Sequence, residues 1–208
     1  MSEAIIRFRV HLAESEQCLE NFRSTSHEFS LRHIWIISVS SFDLYLTELV
    51  SEAGLRLIDK TPRILTQNLR QVEFPLGNVL EIDRMNSVER LLFFKQHIFA
   101  SIQYKSFYRP EKISEALSYI WTCPAKEKWA RILGRMKLTG RYSDKTEEDI
   151  REELTLIGDR RDLIAHSVDR PPGRSEANPV RQEDAARVHM FIADIAEAID
   201  LETEALLS

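Results

Sequence analysis

Turn-forming residues are what this sequence has least of. Six glycines and seven prolines occur in 208 residues, about half the usual combined share of roughly 12%. β-Sandwiches and barrels draw heavily on those residues for their many turns, so the all-β class is excluded. The glycines stand apart from one another, which leaves no phosphate-cradling loop and no dinucleotide fingerprint. No serine occupies a G-x-S-x-G elbow. The two cysteines, Cys18 and Cys123, are far apart and match no ligand spacing, which points to a reduced, cytoplasmic protein. None of the histidines has a glutamate three residues before it, and no H-E-x-x-H occurs. No metal site and no cofactor is therefore expected.

Long apolar runs are missing too. Ile34 to Val50 is interrupted by Ser38, Ser40, Ser41, Asp43 and Glu48, and falls short of the roughly 20 apolar residues of a membrane span. Met1 to Val10 mixes Glu3, Arg7 and Arg9 into its apolar residues and lacks the core of a signal peptide. No membrane association is expected. The apolar share of 43% and charged share of 29% suit a soluble chain with a real core. A net charge of −5 argues against a generic coating of nucleic acid, while leaving room for a local basic site.

What is present is helical spacing. The apolar pattern predicts one all-α domain over 1–208, with long helices at both ends and short ones inserted over about 62–140. The first helix is expected over Ser2 to about Phe22, with Ile5, Ile6, Leu12 and Leu19 inward. The second, about Glu28 to Ile58, is apolar on more than one side, as a helix surrounded by neighbours must be. Pro62 can open a helix to about Val72, and 73–85 reads as a connector. Ser87 to Gln103 is a helix with Asn86 as its cap and Glu89 three residues on. Further helices are expected over about Glu111 to Trp121 and Ala125 to Met136. Asp144 or Thr146 can cap a helix reaching about Ser167, and Asn178-Pro179 opens the last one to about Leu207.

The chemistry-bearing stretch is Asp159-Arg160-Arg161-Asp162-Leu163-Ile164-Ala165-His166-Ser167. The inward stripe before it is Ile150, Leu154 and Ile157. Arg161 falls about 20° from Leu154 around the helix, so it sits on that stripe and needs a cleft, a partner or an acid. Asp162 and His166 are four apart and therefore neighbours, a placement that lets the carboxylate orient the imidazole. Asp43, in the second helix, can anchor Arg161 or serve as a hydrogen-bonded core acid.

Arg161-Asp162-x-x-x-His166 resembles the R-(N/D/H)-x-x-x-H motif of HEPN-superfamily ribonucleases. Trp35 to Leu49 resembles the second helix of the RiboL-PSP type within that superfamily. The likeness covers the first 60 and last 65 residues better than the middle. It implies a HEPN-like helical bundle and a metal-independent endoribonuclease of toxin or antiviral type. His166 would move the proton and Arg161 would hold the transition-state charge, with Asp162 orienting His166 or Arg161. The RNA 2′-hydroxyl would attack, giving a 2′,3′-cyclic phosphate and a 5′-hydroxyl. Arg161 and His166 are about 140° apart on an ideal helix, and the family resolves this with a homodimer whose motifs meet in one composite cleft. A separately encoded antitoxin is a further partner of such proteins. Val168 stands where related proteins paired with a nucleotidyltransferase often carry a modified tyrosine, so that regulation is not expected.

Charge is unevenly spread. Residues 125–145 hold seven basic residues against two acids, whereas 181–208 hold two against seven. Lys126, Lys128, Arg131 and Arg135, with Trp129 and Tyr142 among them, form one candidate RNA track. Tyr104, Phe107 and Tyr108 beside Lys105 and Arg109 form another. The alternative for the basic run is a solvated helix face. For the whole chain, the alternatives to a ribonuclease are a non-catalytic helical module that dimerises or binds RNA or protein, and a small-molecule sensor.

Overall fold

A computed structural model describes residues 1–60 and 65–208. Within them the chain is all-α, with no strand. The first helix, α1 (Glu3–Thr25), starts where the Ser2 hydroxyl accepts a hydrogen bond from the Ile5 N–H, and stops at Ser26 in the left-handed region (φ 56°). The second, α2 (Glu28–Lys60), folds back along it, and Ala4 N–H reaches the Glu52 carboxylate. Ile5, Phe8 and Leu12 of α1 are buried. Ile6, expected inward, is half exposed, because the contact stripe passes through Phe8 instead.

The centre of the bundle is α2, which packs against α1, α5 (Ser87–Ile102), α8 (Glu147–Ser167) and α9 (Gln182–Leu207). Leu31, Ile34, Val39, Phe42, Tyr45, Leu46, Leu49 and Val50 are all buried. Burying each such side chain contributes about 1.5–3 kcal/mol. Ser38 and Ser41 lie among them as small contact residues, and the Tyr45 hydroxyl donates to the Ala196 carbonyl at 3.1 Å. Over Glu28–Asp59 this helix is long and apolar enough to cross a membrane by length and composition, contrary to the expectation from Ile34–Val50 alone. Within its apolar 18-residue window, 67% is buried inside the bundle, the placement of a core helix.

The inserted region departs most from expectation. Pro62 lies outside the described residues, and the helix expected up to Val72 is only α3 (Gln67–Arg70), capped by Thr66. The Thr66 hydroxyl accepts from Leu69 N–H while donating to the Tyr119 carbonyl, which ties this turn to a distant segment. The stretch read as a connector contains α4 (Leu76–Ile82). Phe74 packs against Phe93, Phe94 and His97, and the Asn78 amide bonds His97 Nε2, so α5 supplies the order that local propensity did not. The Asn86–Glu89 capping box on α5 forms as expected. α6 (Pro110–Leu117) stops short of Trp121, because residues 118–121 tighten into successive turns and Trp121 reaches Thr203. α7 (Ala125–Lys137) matches its expected span.

The basic run is a seam and not a free face. Arg131 and Arg135 of α7 both bond the Glu202 carboxylate of α9, at 2.7 and 2.8 Å. Arg141 pairs with Asp194 of the same helix. Lys128 is buried, donating to the Ser114 carbonyl and the Ser118 hydroxyl, and burial pushes its pKa down. Trp129 is buried too, with its indole N–H on Ser114. Of the four proposed RNA contacts only Lys126 is exposed without an ion pair among the described residues. Three arginines of the run thus pair with Glu202 and Asp194 of α9, so Lys128, Arg131 and Arg135 are held within the fold and do not form a free track.

Burial pushes the Glu202 carboxyl up, but the hydrogen bonds from Arg131 and Arg135 outweigh it and hold it below the ordinary value. A depressed folded-state pKa adds stability above the unfolded value that is lost as pH falls. Thermal stability is therefore expected to fall below about pH 4.5. Glu202→Gln should lower Tm by roughly 4 °C at neutral pH and flatten the acid limb. An unchanged Tm would show that the seam contributes nothing.

Candidate active site

The site helix is α8. Thr146, not Asp144, caps it, in a reciprocal box with Asp149. Ile150, Leu154 and Ile157 are buried as the stripe predicts. Gly158, also buried, continues the face and leaves room for another chain segment. A Cβ there would stand 3.1 Å from the Arg109 guanidinium carbon. Across this gap Arg109 donates to the Thr155 carbonyl, to Asp159, and to Asp162 at 2.6 Å.

Arg161 is half-buried, as its place on the stripe requires. Its guanidinium carbon lies 5.3 Å from the Tyr108 ring centre, and one N–H donates to Asp162 at 3.1 Å. Its Nε–H is buried without a partner. Asp162 thus receives Arg161, Arg109 and the Tyr108 hydroxyl (2.8 Å) together. Partial burial pushes the Asp162 carboxyl up, and these three donors more than offset it, so it stays below its ordinary value. Burial and the neighbouring Asp162 push the Tyr108 hydroxyl up, so it remains a donor. Asp43 accepts from Phe107 N–H. Burial raises its pKa, opposed by that hydrogen bond and by the charge of Arg161. Asp43 therefore belongs to the electrostatic surroundings of Arg161.

Of the two groups Asp162 was expected to orient, the structure gives it Arg161 and not His166. His166 is exposed on the last turn of α8 and makes no hydrogen bond or ion pair among the described residues. Asp162 does not orient it, because three stronger donors occupy that carboxylate. The structure thus brings Arg161 and Asp162 together and leaves His166 apart, on the same helix end.

Sequence reading missed what holds that helix end. Val168 and Asp169 are both in the left-handed region, at φ 52° and 62°. Such a φ is costly for a β-branched residue. Asp169 is fully buried and receives Arg32 Nε at 3.0 Å and Arg160 at 2.8 Å, while Arg160 lies 5.2 Å from the Trp35 ring. Arg32 and Arg160 also donate to the carbonyls of Asn178 and Pro179, and Asn178 N–H donates to the Asp169 carbonyl. Those bonds keep 178–181 extended, which is why α9 begins at Gln182 and not at Asn178-Pro179. One signal was available: an acid just past a helix C-terminus opposes the helix dipole and must find cations elsewhere.

No family model, curated protein or solved structure matches this chain. Among the described residues no group of three or more His, Cys, Asp or Glu could hold a metal ion. The groups the site offers are a guanidinium, a tyrosine hydroxyl, carboxylates and an exposed imidazole.

Asp169→Ala would strand Arg32 and Arg160 and should cost about 3–5 kcal/mol, measured by chemical denaturation. Val168→Gly should raise stability by about 1 kcal/mol by relieving the backbone. A destabilised Val168→Gly would show that Val168 stores no strain.

Proposed function

We propose that the chain is a metal-independent endoribonuclease in which Arg161 and His166 act on the scissile phosphate. The observation that carries this reading is Arg161. Its planar fork is half-buried, stacked on Tyr108 and braced by Asp162. A guanidinium held in place in this way suits charge that develops on phosphate oxygens in the reaction. RNA supplies its own nucleophile, so the protein needs a proton carrier and a charge stabiliser. The exposed imidazole of His166 is free for the first task. A homodimer, with His166 of one copy serving Arg161 of the other, overcomes their divergence around α8. The resemblance of Arg161-Asp162-x-x-x-His166 and of Trp35 to Leu49 to HEPN ribonucleases supports the same reading, as does the all-α architecture. A toxin or defence role with a separate antitoxin, acting in the cytoplasm, belongs to this proposal.

A second reading has one observation in its favour: Asp162 is turned away from His166, so the imidazole lacks an orienting partner within its own chain. A non-catalytic RNA- or protein-binding module would have that arrangement.

Cleavage of single-stranded RNA is expected to persist in EDTA and to leave 2′,3′-cyclic phosphate ends. Arg161→Ala should slow it about 10²–10³-fold, and His166→Ala about 10²–10⁴-fold. Specific activity should fall on dilution through the dimer dissociation range. Unchanged cleavage by the double variant overturns the proposal, and RNA binding without cleavage by the wild type favours the second reading.

A further inference from the structure

Two cavities meet at one lysine. The larger, about 420 Å³, lies among α3, the end of α5 and α6, and is lined by Asn68, Gln71, Glu73, Ser101, Lys105 and Tyr119 among others. The smaller, about 180 Å³, is lined by Lys105 at one end and Asp43 at the other, with Phe99 and Gln103 between α2 and α5. Asp43 feels the charge of Arg161 and bonds Phe107, the neighbour of Tyr108. The two cavities thus share Lys105, and Asp43 of the smaller one holds the backbone next to Tyr108.

The chemistry of the larger cavity is that of base recognition. The Asn68 and Gln71 amides each offer donors and an acceptor, and Glu73 offers acceptors. Lys105 directs N–H groups at Glu115 (2.8 Å) and the Tyr119 hydroxyl (3.1 Å), leaving a third for a ligand. Next to it in the chain, Tyr104 is 91% exposed. An aromatic ring set out in water beside a cation is a stacking platform for an unpaired base. Tyr104 to Arg109 spans at most about 20 Å of chain, so platform and Arg161 fall within reach of one short strand. The cavity also has the size range of small-ligand pockets.

We propose that the cavity at Asn68, Gln71 and Lys105 is a nucleobase subsite for single-stranded RNA, with Tyr104 stacking a neighbouring base. The placement of the scissile phosphate at Arg161 rests on the ribonuclease reading; the subsite itself does not. It moves RNA recognition from the 125–145 run, which is spent on α9, to the 103–109 segment and α3.

The test is fluorescence anisotropy of a labelled single-stranded RNA decamer with the full chain carrying His166→Ala, which prevents turnover. Adding Tyr104→Ala, or Asn68→Ala with Gln71→Ala, should weaken binding about tenfold, with the helical circular dichroism unchanged. An abasic strand of equal length should bind weakly and be indifferent to these substitutions. Equal affinity in all variants, or tight binding of the abasic strand, overturns the subsite. The two readings separate in the wild-type background. Cleavage that keeps its rate and position in Tyr104→Ala and in the Asn68/Gln71 double variant defeats the subsite and spares the ribonuclease. Base-dependent binding without cleavage by the wild type does the reverse.

Discussion

The buried Asp169 carboxylate holds together the end of the bundle where α8 stops and α9 begins. It sits just past the C-terminus of α8, where the helix dipole disfavours an anion, and it is fully buried. It is tolerable only because Arg32 of α2 and Arg160 of α8 both bond it. The same arginines fasten the backbone of 178–179, so one carboxylate sets the end of α8, the path of the strap and the start of α9. The strained φ of Val168 persists because these contacts over-determine it.

The adjacent arginines of the motif helix have opposite duties. Arg160 turns to Trp35 and Asp169, whereas Arg161 turns to Tyr108 and Asp162. Residues about 100° apart on a helix face different neighbours, which is how a dipeptide of identical side chains is divided between scaffold and site. Gly158 completes the arrangement by giving Arg109 room to reach Asp162 across the helix.

Charge reads differently once the helices are packed. Counting along the chain, the 125–145 run looks like a nucleic-acid surface. In three dimensions its arginines face the acids of α9, and its lysine at 128 is buried against α6. Complementary charge in two segments of one chain is more economically satisfied within the fold than by a partner. In the 103–109 segment Tyr104 is exposed and Tyr108 half-buried, whereas Phe107 is buried and Lys105 and Arg109 are paired with Glu115 and with Asp159 and Asp162.

The sequence by itself determined the all-α class, the capped starts of α5 and α8, the enclosure of α2 and the inward stripe that half-buries Arg161. These follow from periodicity and from caps that act within a few residues. The resemblance of residues 161–166 to a ribonuclease motif was equally legible, because it too is local. Tertiary structure decided the order of α4 against α5, the late start of α9, the partners of Asp162 and the diversion of the basic run. Each of these depends on groups brought together from far apart in the chain, such as Arg32 with Asp169 or Tyr108 with Asp162. Helical spacing names the face on which a charge lies; which opposite charge it meets is set by the packing of helices around α2.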